Sequence, residues 1–149
     1  MTVEIAFDTY HDYDAMTAHL HALAEAYPDL CTLTSIARTF RGRDVWFLTI
    51  TNPGTGPAAE KPGYYIDAQI HAEEHATSAT ALYACWYLLT RYGQDEEVTR
   101  LLDQQVFYVI PRINPDGAEY ALTAPYYPWC GNGRCLPGED RIDGLIPQD

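Results

Sequence analysis

The stretch GYYIDAQIHAEEHA, residues 63–76, is the most informative part of this sequence because it joins a strand-like run to a cluster of metal-ligating side chains. Up to Ile70 the run is nearly continuous in apolar character apart from Asp67, which is typical of a strand in the interior of a sheet. Residues 71–75 then read HAEEH and lead into a helical pattern. The junction therefore predicts a strand, a turn and a helix with a candidate metal site between them.

Upstream of this junction the sequence predicts a helix and a β-hairpin. Apolar residues recur at helical spacing over residues 13–30, with Asp14 as the candidate N-cap and Pro28 near the end. Two β-rich runs, residues 32–40 and 45–51, are separated by RGRD, which indicates an antiparallel hairpin. A surface loop punctuated by Pro and Gly then leads to the strand of the junction.

Downstream the sequence predicts two helices and one more strand. Residues 73–93 form a long helical pattern closed by Gly93, and residues 95–104 form a shorter one with acidic residues in its first turn. Residues 105–113 are strand-like, and the NPDG that follows, residues 114–117, favours a tight turn. This order of elements predicts an α/β fold with a mixed sheet and helices on its faces.

The length of 149 residues suits one domain with a core of its own. Residues 124–149 contain no convincing helix or strand, and a compact domain rarely ends in so long a stretch of that kind. We therefore expect residues 1–149 to be the N-terminal portion of a single domain, cut before the part that completes the sheet.

The charge of the chain argues against several classes of partner. Twenty-one acidic and nine basic residues give a formal net charge of −12, which repels nucleic acid and anionic membranes. The N-terminus has neither a basic nor an apolar leader region, and no stretch approaches the length of a membrane span. We expect a soluble, cytoplasmic protein, with secretion of a longer parent left open.

The four cysteines do not form a disulfide scaffold. Cys31 and Cys85 stand in apolar contexts and are expected to be small core residues. Cys130 and Cys135 bracket GNGR in a loop, where they could form a local clip or share a soft metal. One such pair lacks the second half of a zinc knuckle.

The HAEEH cluster allows three interpretations. In the first, His71 leaves a strand end and Glu74 lies in the first helical turn, so that the two converge on a zinc ion. A hydrolytic zinc then needs a third protein ligand, from a distant part of the sequence, and an open position for water.

The second interpretation is the H-x-x-E-H motif of other zinc peptidases, in which His71 and His75 stand one turn apart on a single helix. The third is an acidic helix start with both histidines at the surface. The strand-like run up to Ile70 favours the first arrangement over the second.

The HAEEH cluster alone is too short to identify a functional site. The NPDG at residues 114–117 provides a second observation. A strand followed by H-x-x-E, a long helix, and a strand followed by NPDG about forty residues later form a specific combination. In this order the chain resembles the zinc metallocarboxypeptidase family of the carboxypeptidase A and B type. The resemblance extends over essentially the whole chain, and it is greatest to the bacterial branch.

The resemblance implies roles for particular residues. His71 and Glu74 would be the first two zinc ligands, whereas Glu73 and His75 would be neighbours without a metal bond. An arginine in a loop after NPDG would stabilise the oxyanion of the scissile carbonyl, and Arg134 is the candidate. Arg141 is the alternative.

Other parts of the family's machinery would lie beyond Asp149. These are the third zinc ligand, the general-base glutamate and the Asn-Arg pair that grips the substrate's C-terminal carboxylate. No substrate-binding residue of this chain can therefore be assigned from its sequence.

The sequence and the resemblance together predict a three-layer α/β/α sandwich with a mixed sheet, of which this chain is the N-terminal part. The expected activity is zinc-dependent hydrolysis at the C-termini of peptides or proteins, with the fragment alone inactive and weak in zinc binding. An H-x-x-E-H endopeptidase and a non-catalytic binding module that keeps the fold are the alternatives.

Overall fold

A computed structural model describes residues 3–123 and Gly131. Four helices and four strands follow one another along the chain as α1 Tyr13–Ala26, β1 Cys31–Arg38, β2 Asp44–Ile50, β3 Gly63–Asp67, α2 His75–Arg91, α3 Glu96–Gln104, β4 Val106–Ile110 and α4 Pro115–Thr123. Two short 3-10 turns, Pro53–Thr55 and Ala58–Glu60, lie in the predicted Pro- and Gly-rich loop. None of the described helices is long and apolar enough to span a membrane.

The four strands form one mixed sheet in the order β1-β2-β4-β3. The predicted hairpin of β1 and β2 is antiparallel, β2 pairs with β4 antiparallel, and β3 runs parallel to β4. The helices α2 and α3 make the crossover between the two parallel strands, as a parallel pair requires. The predicted α/β class with a mixed sheet is therefore confirmed.

The predicted interior position of β3 concerns the complete sheet, of which this chain is expected to supply only a part. Among the described residues β3 lies at the edge, and Tyr64 and Tyr65 are more than half exposed. Tyrosine rings supply the apolar character of the run while their hydroxyl groups remain compatible with water. This position and this exposure belong to the described residues alone, so the interior position of β3 in the complete sheet stays a prediction.

The N-cap of the first helix lies two residues before the predicted one. Asp12 is the N-cap, since its carboxylate accepts from the backbone N–H of Ala15 at 2.8 Å. Asp14 instead lies in the first turn, where its negative charge complements the helix dipole. The backbone N–H of Tyr27 closes the helix on the Leu23 carbonyl.

One buried apolar cluster joins the first three helices to the sheet. Its largest fully buried aliphatic side chains come from α1, β2, α2, α3 and β4, and they include Leu20, Leu23, Leu48, Ile50, Leu82, Leu89, Leu102 and Val109. Cys31 and Cys85 are buried free thiols in this cluster, as predicted, and burial raises the pKa of Cys31 to about 12. These thiols are packing residues and not nucleophiles.

Candidate metal centre

The HAEEH cluster lies in a loop between a strand and a helix. Strand β3 ends at Asp67 and α2 begins at His75, so residues 68–74 form the loop at the C-terminal ends of the parallel strands β3 and β4. Ligands of α/β proteins commonly bind at this edge of a parallel sheet. His71 therefore lies four positions beyond the strand and not at its last residue, which differs from the prediction.

His71 and Glu74 converge as the first interpretation requires. His71 Nδ1 lies 3.2 Å from Glu74 Oε1, and the two side chains are 59% and 43% exposed. Glu74 is the N-cap of α2 rather than a residue of its first turn, but its carboxylate makes no capping hydrogen bond. One nitrogen and one oxygen of the kinds that zinc prefers are therefore paired with each other and accessible from solvent.

The structure does not have the arrangement that an H-x-x-E-H site needs. His75 is the first residue of α2 and His71 lies outside any helix, so the two do not stand one turn apart on one helix. The Nδ1 of His75 is engaged at 2.7 Å by the Gln69 amide, and its ring packs against Tyr10. Burial, followed by the charge of Arg112, lowers the pKa of His75.

The loop contains one end of a buried polar network that the sequence did not predict. Gln69 is only 1% exposed and has a φ of +55°, a conformation that costs a non-glycine residue about 1 kcal/mol or more. Its Oε1 accepts from Arg112 Nε at 2.8 Å. A polar residue between Ala68 and Ile70 could have marked this position, but nothing local identified its partner.

Arg112 connects the loop to two other parts of the chain. Its Nη2 donates to the His11 carbonyl at 2.7 Å, and its Nη1 lies 3.4 Å from Glu119 Oε1. Burial lowers the pKa of Arg112, but a guanidinium remains charged at neutral pH because its ordinary pKa is so high. Arg112 thereby fixes the segment before α1 and the helix α4 against the candidate metal loop.

The NPDG segment begins a helix and does not form the predicted tight turn. Pro115 is the first residue of α4, where its missing N–H costs nothing, and the Asn114 Oδ1 accepts from the Gly117 N–H at 3.1 Å. Gly117 lies in this helix, and a Cβ there would collide with the Gly131 carbonyl and the Asn114 amide. Glycine is therefore required for close approach and not for a positive φ.

Asn114 is a second residue that the sequence analysis did not connect with the metal loop. Its Nδ2 lies 3.2 Å from the Ile70 carbonyl and 3.1 Å from the Gly131 carbonyl. Ile70 immediately precedes His71, and Gly131 stands three positions before Arg134 in the sequence. One amide group thus contacts both the metal loop and the segment that carries the candidate oxyanion-stabilising arginine.

The remaining predicted site residues lie outside the described residues. These are the candidate arginines Arg134 and Arg141 and the loop cysteines Cys130 and Cys135. Among residues 3–123 and Gly131, no three His, Cys, Asp or Glu side chains are grouped so that they could hold a metal ion. Within this part of the chain, His71 and Glu74 therefore make up a pair and not a complete ligand set.

The fold and this pair define an α/β protein with a histidine and a glutamate presented at the C-terminal edge of parallel strands. The family model of the zinc carboxypeptidases, peptidase M14, matches residues 16–142. The chain belongs to the zinc carboxypeptidase family, whose metal is zinc and which contains peptide hydrolases such as carboxypeptidase B. The resemblance of its sequence to that family is confirmed, and membership of the bacterial branch stays a prediction.

Three comparisons illustrate the relationship. An inactive metallocarboxypeptidase of Saccharomyces cerevisiae is 36% identical over 114 residues, which are 76% of this chain and 26% of the relative. Carboxypeptidase B of Astacus astacus is 34% identical over 115 residues, which are 77% of this chain and 36% of the relative. The crystal structure of carboxypeptidase A from Helicoverpa armigera superposes with a TM-score of 0.79 at 26% identity, covering 92% of this chain and 32% of that one. The chain thus spans about a quarter to a third of the length of these relatives.

Proposed function

We propose that residues 1–149 are the N-terminal portion of a zinc carboxypeptidase catalytic domain. We further propose that the polypeptide containing them removes C-terminal residues from peptides or proteins. The observation that carries the proposal is the 3.2 Å approach of His71 Nδ1 to Glu74 Oε1 at the sheet edge of a family member. The net charge of −12 supports a peptide rather than a nucleic acid as the substrate.

The donor pair fits the metal of the family. Imidazole nitrogen and carboxylate oxygen are two of the three protein ligands in a His2Glu zinc site, the set found in carboxypeptidase A. When bound, zinc lowers the pKa of a coordinated water towards neutrality and polarises a carbonyl group. His71 and Glu74 would hold the ion, and their exposure leaves room on the solvent side for a peptide to approach.

Other roles are assigned by family resemblance. Arg134 is proposed to stabilise the oxyanion, with Arg141 as the alternative. The contact between Asn114 and the Gly131 carbonyl supports the choice of Arg134, because the same amide also contacts the residue before His71. The third zinc ligand, the general base and the groups that bind the substrate's carboxylate are proposed to lie beyond Asp149.

The ligand assignment is tested by zinc titration of the 149-residue chain, with calorimetry giving the dissociation constant and the NMR signals of the histidine rings showing which histidine binds. We expect zinc to shift the signals of His71, and His71→Ala or Glu74→Ala to raise the dissociation constant by at least about tenfold. His75→Ala is the matched control and should keep the affinity. Loss of binding in His75→Ala alone would instead support the H-x-x-E-H arrangement.

The activity is tested with the complete polypeptide from its own gene. A peptide with a free C-terminus should be shortened from that end, while the same peptide with a C-terminal amide should not. Chelation of the metal should stop the reaction and added zinc should restore it. Cleavage of internal bonds would favour the endopeptidase alternative, and no hydrolysis by the zinc-loaded protein would favour a non-catalytic module.

A further inference from the structure

Gln69 has an unusual conformation within the candidate metal loop, residues 68–74. It is the only non-glycine residue in the described part of the chain with a positive φ, and its side chain is almost completely buried. Such a backbone conformation persists where surrounding contacts impose it, and it is frequent at functional sites. A buried amide also needs its hydrogen bonds, because an unpaired polar group in a core is costly.

The side chain of Gln69 makes three hydrogen bonds, to the loop itself, to the first residue of α2 and to Arg112 after β4. Its Nε2 donates to the Ala72 carbonyl at 3.0 Å and to His75 Nδ1 at 2.7 Å. Its Oε1 accepts from Arg112 Nε. The orientation of the amide follows from its partners, since a carbonyl can only accept and a guanidinium can only donate.

These bonds fix the backbone between the two candidate zinc ligands. Ala72 follows His71 directly and precedes Glu74 by two positions, and its carbonyl accepts the hydrogen bond from the Gln69 amide. Both candidate ligands are substantially exposed, so packing of their own side chains does little to order the loop. An ordered loop binds an ion more tightly because less conformational entropy is lost on binding.

We propose that Gln69 is a positioning residue that holds the His71–Glu74 loop in the conformation that presents both ligands to the metal. This inference rests on the proposed function of that pair. The left-handed backbone at Gln69 is then part of the arrangement, because it turns the amide onto the Ala72 carbonyl.

Two substitutions at Gln69 distinguish an effect on zinc affinity from an effect on the stability of the fold. Gln69→Ala removes the amide and keeps the backbone strain, whereas Gln69→Gly removes the amide and relieves the strain. Thr51→Val is the control, since it removes a buried hydroxyl bonded to the Leu102 and Gln105 carbonyls at the opposite edge of the sheet. Zinc affinity is measured in the 149-residue chain by isothermal titration calorimetry, which applies equally to all the variants, and stability is measured by urea unfolding.

We expect both Gln69 variants to weaken zinc binding by about tenfold, as loss of a group that orients metal ligands typically does. Gln69→Gly should nevertheless be more stable to urea than Gln69→Ala. Thr51→Val should be less stable than the parent chain with an unchanged zinc affinity. Zinc affinity and stability would then change independently, which a purely structural role of Gln69 does not allow.

The inference is overturned if zinc affinity follows stability across the variants, with Gln69→Gly binding better than Gln69→Ala and Thr51→Val also weakened. It is also overturned if His71→Ala and Glu74→Ala lose zinc while both Gln69 variants bind as the parent does. In that case the ligand assignment still holds. If His71→Ala and Glu74→Ala bind zinc normally, the ligand assignment is wrong and the positioning role falls with it.

Discussion

The strands of the sheet end at two opposite edges, and the loops at these two edges use polar side chains in opposite ways. At the edge where β2 ends and β3 begins, the loop of residues 51–62 closes around Lys61. The three N–H groups of the Lys61 ammonium are shared among four oxygen atoms within hydrogen-bond distance, those of Thr51 Oγ1 (3.0 Å), the Asn52 carbonyl (2.6 Å), Thr55 Oγ1 (2.8 Å) and the Leu102 carbonyl (3.2 Å). A cation of the protein itself thus satisfies the acceptors that this loop gathers.

At the other edge, the loop of residues 68–74 directs its charged side chains towards solvent. His71 and Glu74 pair with each other, while the buried Gln69 of the same loop bonds to the Ala72 carbonyl and to Arg112. A loop that serves only stability can bond its charged group within the fold. A loop that is to bind an ion leaves its ligands accessible, so its stability depends on a second layer of buried polar contacts.

The largest effect is expected from Asp116, which belongs to the buried layer at the candidate metal edge. Its carboxylate is 5% exposed and accepts from Arg43 Nη1 (2.8 Å), Thr39 Oγ1 (2.9 Å) and the Arg41 N–H (3.1 Å). Asp116→Ala leaves a partly buried guanidinium without its partner and should cost about 3 kcal/mol of unfolding free energy, measured in urea.

The control for Asp116 is an exposed ion pair of the same kind. Arg38 and Asp44 pair at 3.0 Å with the Arg38 side chain 73% exposed, so Arg38→Ala should cost less than about 1 kcal/mol. If Asp116→Ala loses no more than Arg38→Ala, the buried layer does not stabilise the candidate metal edge, and the contrast between the two edges disappears.

A smaller effect is expected from Lys61 at the opposite edge. Lys61→Met keeps the length of the side chain but removes the donor, so it should cost about 2 kcal/mol because carbonyl groups lose a charged hydrogen bond. Urea unfolding measures this loss, and zinc titration should give the same affinity as the parent chain. A weaker zinc affinity in this variant would mean that the contacts of Lys61 influence the loop of residues 68–74, so that the two loops are not independent.

The sequence predicted the elements whose signals are local. The spacing of apolar residues in α1 and the two β-rich runs of the hairpin needed no distant partner, and both were correct. The convergence of His71 and Glu74 also depends on a spacing of three residues at one junction. Prediction was less successful at NPDG, because Asn before Pro suits the start of a helix as well as a turn.

What the sequence could not predict depends on contacts between distant residues. Gln69 meets Arg112 across 43 positions, and Arg112 meets His11 across 101. Lys61 stands among Pro and Gly residues, which predict only a surface loop, yet it bonds to Leu102 of α3. No local propensity carries this information, because each bond exists only after the sheet has brought separate segments together.

The smallest predicted effect concerns the acid sensitivity of His19 in α1, whose ring packs edge-on against that of His11. Burial, followed by the charge of His11, lowers the pKa of His19 below its usual value of 6.5. The unfolded chain therefore binds a proton more readily than the folded one, so this contribution to stability is complete above about pH 6.5 and is lost as the pH falls below it. Because the ring is partly exposed, the loss should stay below about 1 kcal/mol.

Urea unfolding at pH 7.5 and pH 5.5 measures this contribution of His19. The free energy of unfolding should differ less between the two pH values in His19→Gln than in the parent chain. An equal difference in both proteins would assign the acid sensitivity to other groups.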